Sequence, residues 1–218
     1  EKWKTGEVLG AEFEKDTTEP DWTYLKGDIS YAYSDKVQEY ERSFMFLNLK
    51  NSDVPAALIV FDRIKSADAA FKKTWLLHTQ NAPGLDGTRA TATVTDSGYN
   101  GKLVLDSILP EKDNIDFNIV EGGAGDAWVN GTNYFAKIVE GGINEGGGSR
   151  LEISPKVQSK EDLFLNVMQV SDADQENVFE VNKLESDTHV GAVIADRAVL
   201  FAKQKDRISS EISFTIEP

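Results

Sequence analysis

The chain contains no cysteine, which excludes a disulfide framework and thiol catalysis while leaving the redox compartment open. Histidine is almost as scarce. His78 and His189 lie about half the chain apart, neither has a second histidine at metal-ligand spacing, and a self-contained zinc site has little support. No run of about 18 consecutive apolar residues is present to span a membrane. Cations are the minority charge: 23 Lys and Arg against 37 Asp and Glu give a formal net charge of -14. Such a field repels polyanions at long range, which argues against nucleic acid as a partner and weighs against sulfated glycans. A signal peptide is missing and residue 1 is Glu rather than Met, so the expectation is a trimmed piece of a longer precursor. No GxSxG elbow and no GxxxxGK[ST] phosphate loop occur. Helical periodicity is nearly absent.

What the 218 residues do have is 40% hydrophobic content, enough for a sizeable core, arranged in short stretches rich in β-branched and aromatic residues between Gly, Asn, Asp and Pro. The stretch around which the chain is organised runs from Ala56 to Pro83. Ala56 to Phe61 is continuously apolar, as in a strand buried on both faces, and Phe71 to Thr79 alternates. The expectation is a pair of central strands around a bend at 65–70. Further strands are expected near Glu7 to Phe13, Asp28 to Ser34, Glu39 to Leu49, Arg89 to Thr95, Lys102 to Leu109 and Ile115 to Glu121. Beyond a glycine-rich middle they continue at Ser149 to Ser154, Asp162 to Val170, Val178 to Leu184, His189 to Ile194, Arg197 to Ala202 and Ile208 to Ile216. That series predicts an all-β fold, an antiparallel β-sandwich, treated as one region over 1–218. Two packed β subdomains remain open, with a boundary near 121–150, where nine of the chain's 17 glycines fall.

Candidate chemistry is sparse. Asp28 and Arg42 read as turn and strand-start residues. His78 reads as a hydrogen-bonded structural histidine and His189 as exposed at a strand start. Asp172, Asp174 and Glu176 alternate like Ca²⁺ ligands but lack the glycine and terminal glutamate of an EF-hand loop, so a solvated acidic turn is the better reading. Sugar binding needs an exposed ring beside amides. Trp128, with Asn130, Asn133 and Tyr134 in the glycine-rich region, forms the candidate carbohydrate platform, against the plainer reading of Trp128 as a buried anchor for its loop. The Asn130-Gly131-Thr132 sequon reports a turn, and Trp75 is assigned to the core. No residue qualifies as catalytic or metal-binding.

Three stretches carry a resemblance. VFDRIKSADAAFKKTWLLHTQNAP resembles the "FDR, lysine-rich bend, WLLH" signature of heparinase II/III-like polysaccharide lyases. The earlier YLKGD, AYS and RSF series resembles the same family, as does RLEISPKVQSKEDLFLNVMQV from Arg150. The resemblance implies a C-terminal β-sandwich region behind an upstream catalytic α/α toroid, which would be its partner in the same precursor. It further implies β-elimination of a uronate-containing polysaccharide by a Tyr/His acid–base pair with a sandwich-bound zinc, all upstream of this signature. No cofactor is expected in this chain itself, polysaccharide is an open partner, and the compartment implied is periplasmic or secreted.

Overall fold

The computed structural model describes residues 5–16, 18–96, 98–120, 128–129, 132–133 and 148–205. The first half contains β1 (Glu7–Phe13), β2 (Trp22–Asp28), β3 (Val37–Asn48), β4 (Ala56–Ser66), β5 (Trp75–Thr79), β6 (Gly84–Asp86), β7 (Arg89–Val94), β8 (Gly101–Leu109) and β9 (Ile115–Val120). The second contains β10 (Trp128–Val129), β11 (Thr132–Asn133), β12 (Ser149–Pro155), β13 (Glu161–Ser171), β14 (Val181–Glu185), β15 (His189–Ile194) and β16 (Arg197–Ala202). All ladders among them are antiparallel, in keeping with the all-β expectation.

Eight strands form one sheet in the order β1-β2-β3-β4-β13-β8-β7-β6, and two three-stranded sheets, β5-β12-β9 and β14-β15-β16, accompany it. Alternation along β4 decides how they stack, because successive side chains leave a strand on opposite faces. Ala57, Ile59 and Phe61 join one buried cluster with Val190, Ala192 and Ile194 of β15 and Val199 and Phe201 of β16. Val60 and Ile64 join another with Trp75 of β5, Leu151 and Ile153 of β12 and Ile115 of β9. The sandwich is therefore three layers deep: the large sheet lies between the two small ones. A strand covered on both sides must be apolar at consecutive positions, which is why Ala56 to Phe61 shows no alternation.

Several strand assignments change in the structure: β2 and β6 are additional to the expected strands, and β5 begins at Trp75 rather than Phe71. β4 and β5 are not paired with each other; β4 lies between β3 and β13, and β5 pairs with β12. The segment between them carries the chain from the middle layer to a cover, held where Ser66 N–H donates to the Lys160 carbonyl and Ala67 N–H to that of Lys36. The strand expected over Asp28 to Ser34 does not form; the extended segment precedes it, as β2, and stops at Asp28. Its carboxylate accepts from Ser30 N–H at 2.9 Å and from Ser30 Oγ at 2.5 Å, turning the chain into a 3-10 run, Ser30–Lys36. The strand expected at Ile208 to Ile216 lies outside the described residues.

Trp75 is 4% exposed, and among the described residues its Nε1 meets no hydrogen-bond partner, so the ring contributes through packing. Trp75→Ala should destabilise the fold by ~3–5 kcal/mol, read by chemical denaturation. A loss below ~1 kcal/mol would place the ring outside the energetic core.

Candidate functional site

The FDR of the first motif shows how alternation distributes chemistry here. Phe61 stacks on Phe201 of the β14-β15-β16 cover, with ring centroids 4.9 Å apart. Asp62 points to the other side, where Arg42 Nε and Nη2 donate to its two oxygens at 2.7 and 2.6 Å and the Tyr40 hydroxyl donates at 3.3 Å. Arg63 returns to the first side and donates to Glu39 and Glu41, each at 2.5 Å, and to the Ala202 carbonyl at 3.1 Å. Arg42, read from sequence as structural, is so, though its partner on the neighbouring strand was not legible.

Tyr40, Glu41, Asp62 and Arg63 are buried, Arg42 and Glu39 half-buried, and all are committed to partners. Burial, followed by the negative charge of Asp62, pushes the Tyr40 phenol well above its ordinary range, so it stays a proton donor. Burial opposes the charge on Arg42, but the bidentate bond and attraction to Asp62 outweigh it and hold the guanidinium protonated. Neither is poised for acid–base chemistry near neutrality.

Removing one partner of such a pair leaves a charge without its counterion. Asp62→Asn should cost ~3 kcal/mol, the low end of the ~3–5 kcal/mol range for buried pairs, because the Arg42 side chain keeps 26% of its surface in water. Replacing both partners with Arg42→Met and Asp62→Leu should recover most of that loss in a denaturation series. Equal losses for the single and double variants would contradict the pairing.

Among the described residues, clefts open around this frame. One of about 360 Å³ lies between the outer strands of the large sheet and β16, with Trp22 and Tyr24 on a wall that also carries Lys26, Glu41 and Arg63. Its cations converge on Glu41, with Lys26 Nζ at 2.6 Å and Arg63 Nη2 at 2.5 Å. A second, of about 410 Å³, is where the lysine-rich bend meets the segment after β12, so two motifs that resemble the lyase family converge there. Its Lys73 is 8% exposed, 2.9 Å from Asp162 and bonded to the Ser159 carbonyl. A third, of about 540 Å³, is the open mouth between the large sheet and β5, floored by Leu77, Val94 and Leu103 and rimmed by Gln80, Tyr99 and Asn100.

Of the sequence-derived sugar platform, Trp128 and Asn133 are placed by backbone alone, as partners in the β10-β11 ladder. Asn130 and Tyr134 lie outside the described residues. The 121–150 excursion starts and ends at one place: Val120 and His78 both register with Arg150 of β12. His78 is exposed on the outward face of β5 rather than held in the interior. His189, expected at the surface, is 6% exposed, with Thr188 Oγ1 2.8 Å from its Nδ1. The reason is topological, since β15 is the middle strand of its sheet. Asp172, Asp174 and Glu176 are exposed, and no group of three His, Cys, Asp or Glu among the described residues could hold a metal ion. Tyr99 of the third cleft was missed because a tyrosine in a hairpin link carries no sequence signal of concavity.

Comparison with known proteins agrees with this architecture. Residues 183–218 match the model of the heparinase II C-terminal domain. No curated protein matches the chain in sequence. Among solved structures, a heparan sulfate lyase HepC mutant from Pedobacter heparinus superposes with a TM-score of 0.53 at 15% identity, and heparinase III with 0.52 at 9%. Each alignment covers 90% of this chain but 27% of the other, and at these identities the likeness is one of fold. Together the findings support, as the motifs implied, a C-terminal heparinase-like β-sandwich region.

Proposed function

We propose that this chain is the non-catalytic C-terminal β-sandwich fragment of a heparinase II/III-like polysaccharide lyase whose whole protein cleaves uronate-containing polysaccharides by β-elimination. The observation that carries this reading is the superposition of 90% of the chain on 27% of a heparan sulfate lyase. On this reading the catalytic α/α toroid, the acid–base pair and the zinc belong to the upstream part of the precursor, in a periplasmic or secreted enzyme. The residues described here do not fit that zinc, because no set of three donors converges. What the fragment supplies is rigidity. Its buried charges are tied across strands and its middle layer is clamped from both sides, which suits a support for a neighbouring catalytic domain.

The isolated chain should therefore show no product absorbance near 232 nm, generic for an unsaturated uronate, with heparan sulfate, chondroitin or alginate. Turnover that survives repurification would defeat the proposal.

The open mouth beside Tyr99 favours carbohydrate binding as the second reading, since Tyr99 is 55% exposed next to Asn100 and Gln80. Titration of oligosaccharides against tryptophan fluorescence separates the two readings. The scaffold reading expects no response at millimolar glycan. Saturable quenching that disappears in Tyr99→Ala or Trp128→Ala, with the thermal midpoint kept, would reverse the ranking.

A further inference from the structure

The large sheet stays apolar on one face past the point where its cover ends. Residues opposite one another on paired strands share a face, so a row can be followed across the sheet. One row runs from Phe13 of β1 through Thr23, Phe46 and Leu58 to Met168 of β13 and Leu105 of β8. Beneath the β5-β12-β9 layer, Met168 is 8% and Leu105 0% exposed; along the same row Phe46 is 41% and Phe13 66% exposed. The adjacent row repeats this, from Val60 at 2% through Phe44 to Leu25 at 43%. Val8, on the same side, is 67% exposed.

The opposite face of these strands is covered: Trp22, Tyr24 and Met45 pack against the core shared with β15 and β16. Among its charged groups Lys26 is paired with Glu41, beside Glu12 in register with Tyr24. Toward β1 the two exposed rows hold Phe13, Phe46, Phe44 and Leu25, and the next row, from Val8 through Gly27, ends on the Arg42–Asp62 pair. A contiguous apolar face of this sort marks an interaction surface. β1 also stands at the sheet's edge, where unpaired backbone groups invite a neighbour.

We propose that the exposed face of β1, β2 and β3 is an interdomain interface, covered in the whole protein by an apolar surface of the upstream part of the same polypeptide. This rests on the lyase-fragment reading. Three observations select that occupant. The lyases of like fold have most of their length outside the aligned 27%. The patch is centred on the first two strands, and polypeptide joined to residue 1 would arrive within a few residues of β1. A second copy is disfavoured, since each chain carries a formal charge of -14 and two would repel.

Hydroxyl-radical footprinting reads side-chain cover directly. Phe13, Leu25 and Phe46 should be modified at least five-fold more slowly in the full-length precursor than in the 218-residue chain, at matched radical dose. The triple variant Phe13→Ser, Leu25→Ser and Phe46→Ser should leave the thermal midpoint of the isolated chain within a few degrees. In the precursor the same changes should split one unfolding transition into two. Sedimentation velocity of the isolated chain should show a monomer; a concentration-dependent dimer abolished by the triple variant would overturn the proposal in favour of self-association. Equal modification rates in a precursor that has an upstream domain would overturn the interface alone. An encoded polypeptide with nothing upstream would overturn the lyase-fragment reading, and the interface with it.

Discussion

A sheet that is apolar on both faces has to be covered twice, and the rest of this structure follows from that requirement at β4 and β13. Their side chains alternate between two cores, and each core recruits a separate three-stranded sheet. Burial of that area is the main favourable term available to the fold, roughly 25 cal/mol per Å² of apolar surface. The middle layer is shared, so loss of either cover would expose one face of the same strands. Gly191 illustrates how close the packing becomes: a Cβ there would overlap the Val199 carbonyl of the neighbouring strand, so glycine is required for contact rather than for flexibility.

Polar groups obey the same alternation. Asp62 and Arg63 are adjacent in sequence yet form separate networks on opposite sides of the sheet, each closed by residues of β3. A buried charge is tolerated when its counterion and hydrogen bonds are in place. These networks therefore fix β3 against β4 in register, because a one-residue slip would carry every charged side chain to the wrong face. They leave little chemistry available near the buried frame.

The support role proposed for this sandwich accords with its surface as well as its core. The covers protect the centre of the large sheet, whereas its first strands leave Phe13, Leu25 and Phe46 open to solvent on one face and pack Trp22 and Tyr24 on the other. Such asymmetry suits a module that meets a neighbour on one side. The acidic net charge acts at longer range and disfavours approach of a second copy or of a polyanion.

The strands themselves were largely legible: β1, β15 and β16 have the bounds that their alternation and flanking turns indicate, and the unbroken apolar run of β4 correctly implied cover on both faces. Those are local properties, set by side-chain period and turn chemistry. Pairing was decided by tertiary structure. The bend after β4 looks like a hairpin link, but β13, about a hundred residues later, supplies the partner whose apolar face fits, and β5 is left to a cover. His189 shows the same limit, because a strand-start histidine is exposed or buried according to the neighbours its strand acquires. Which acid meets which base, where the clefts open and where the cover over the large sheet stops all depend on non-local contacts. No spacing along the chain encodes them individually.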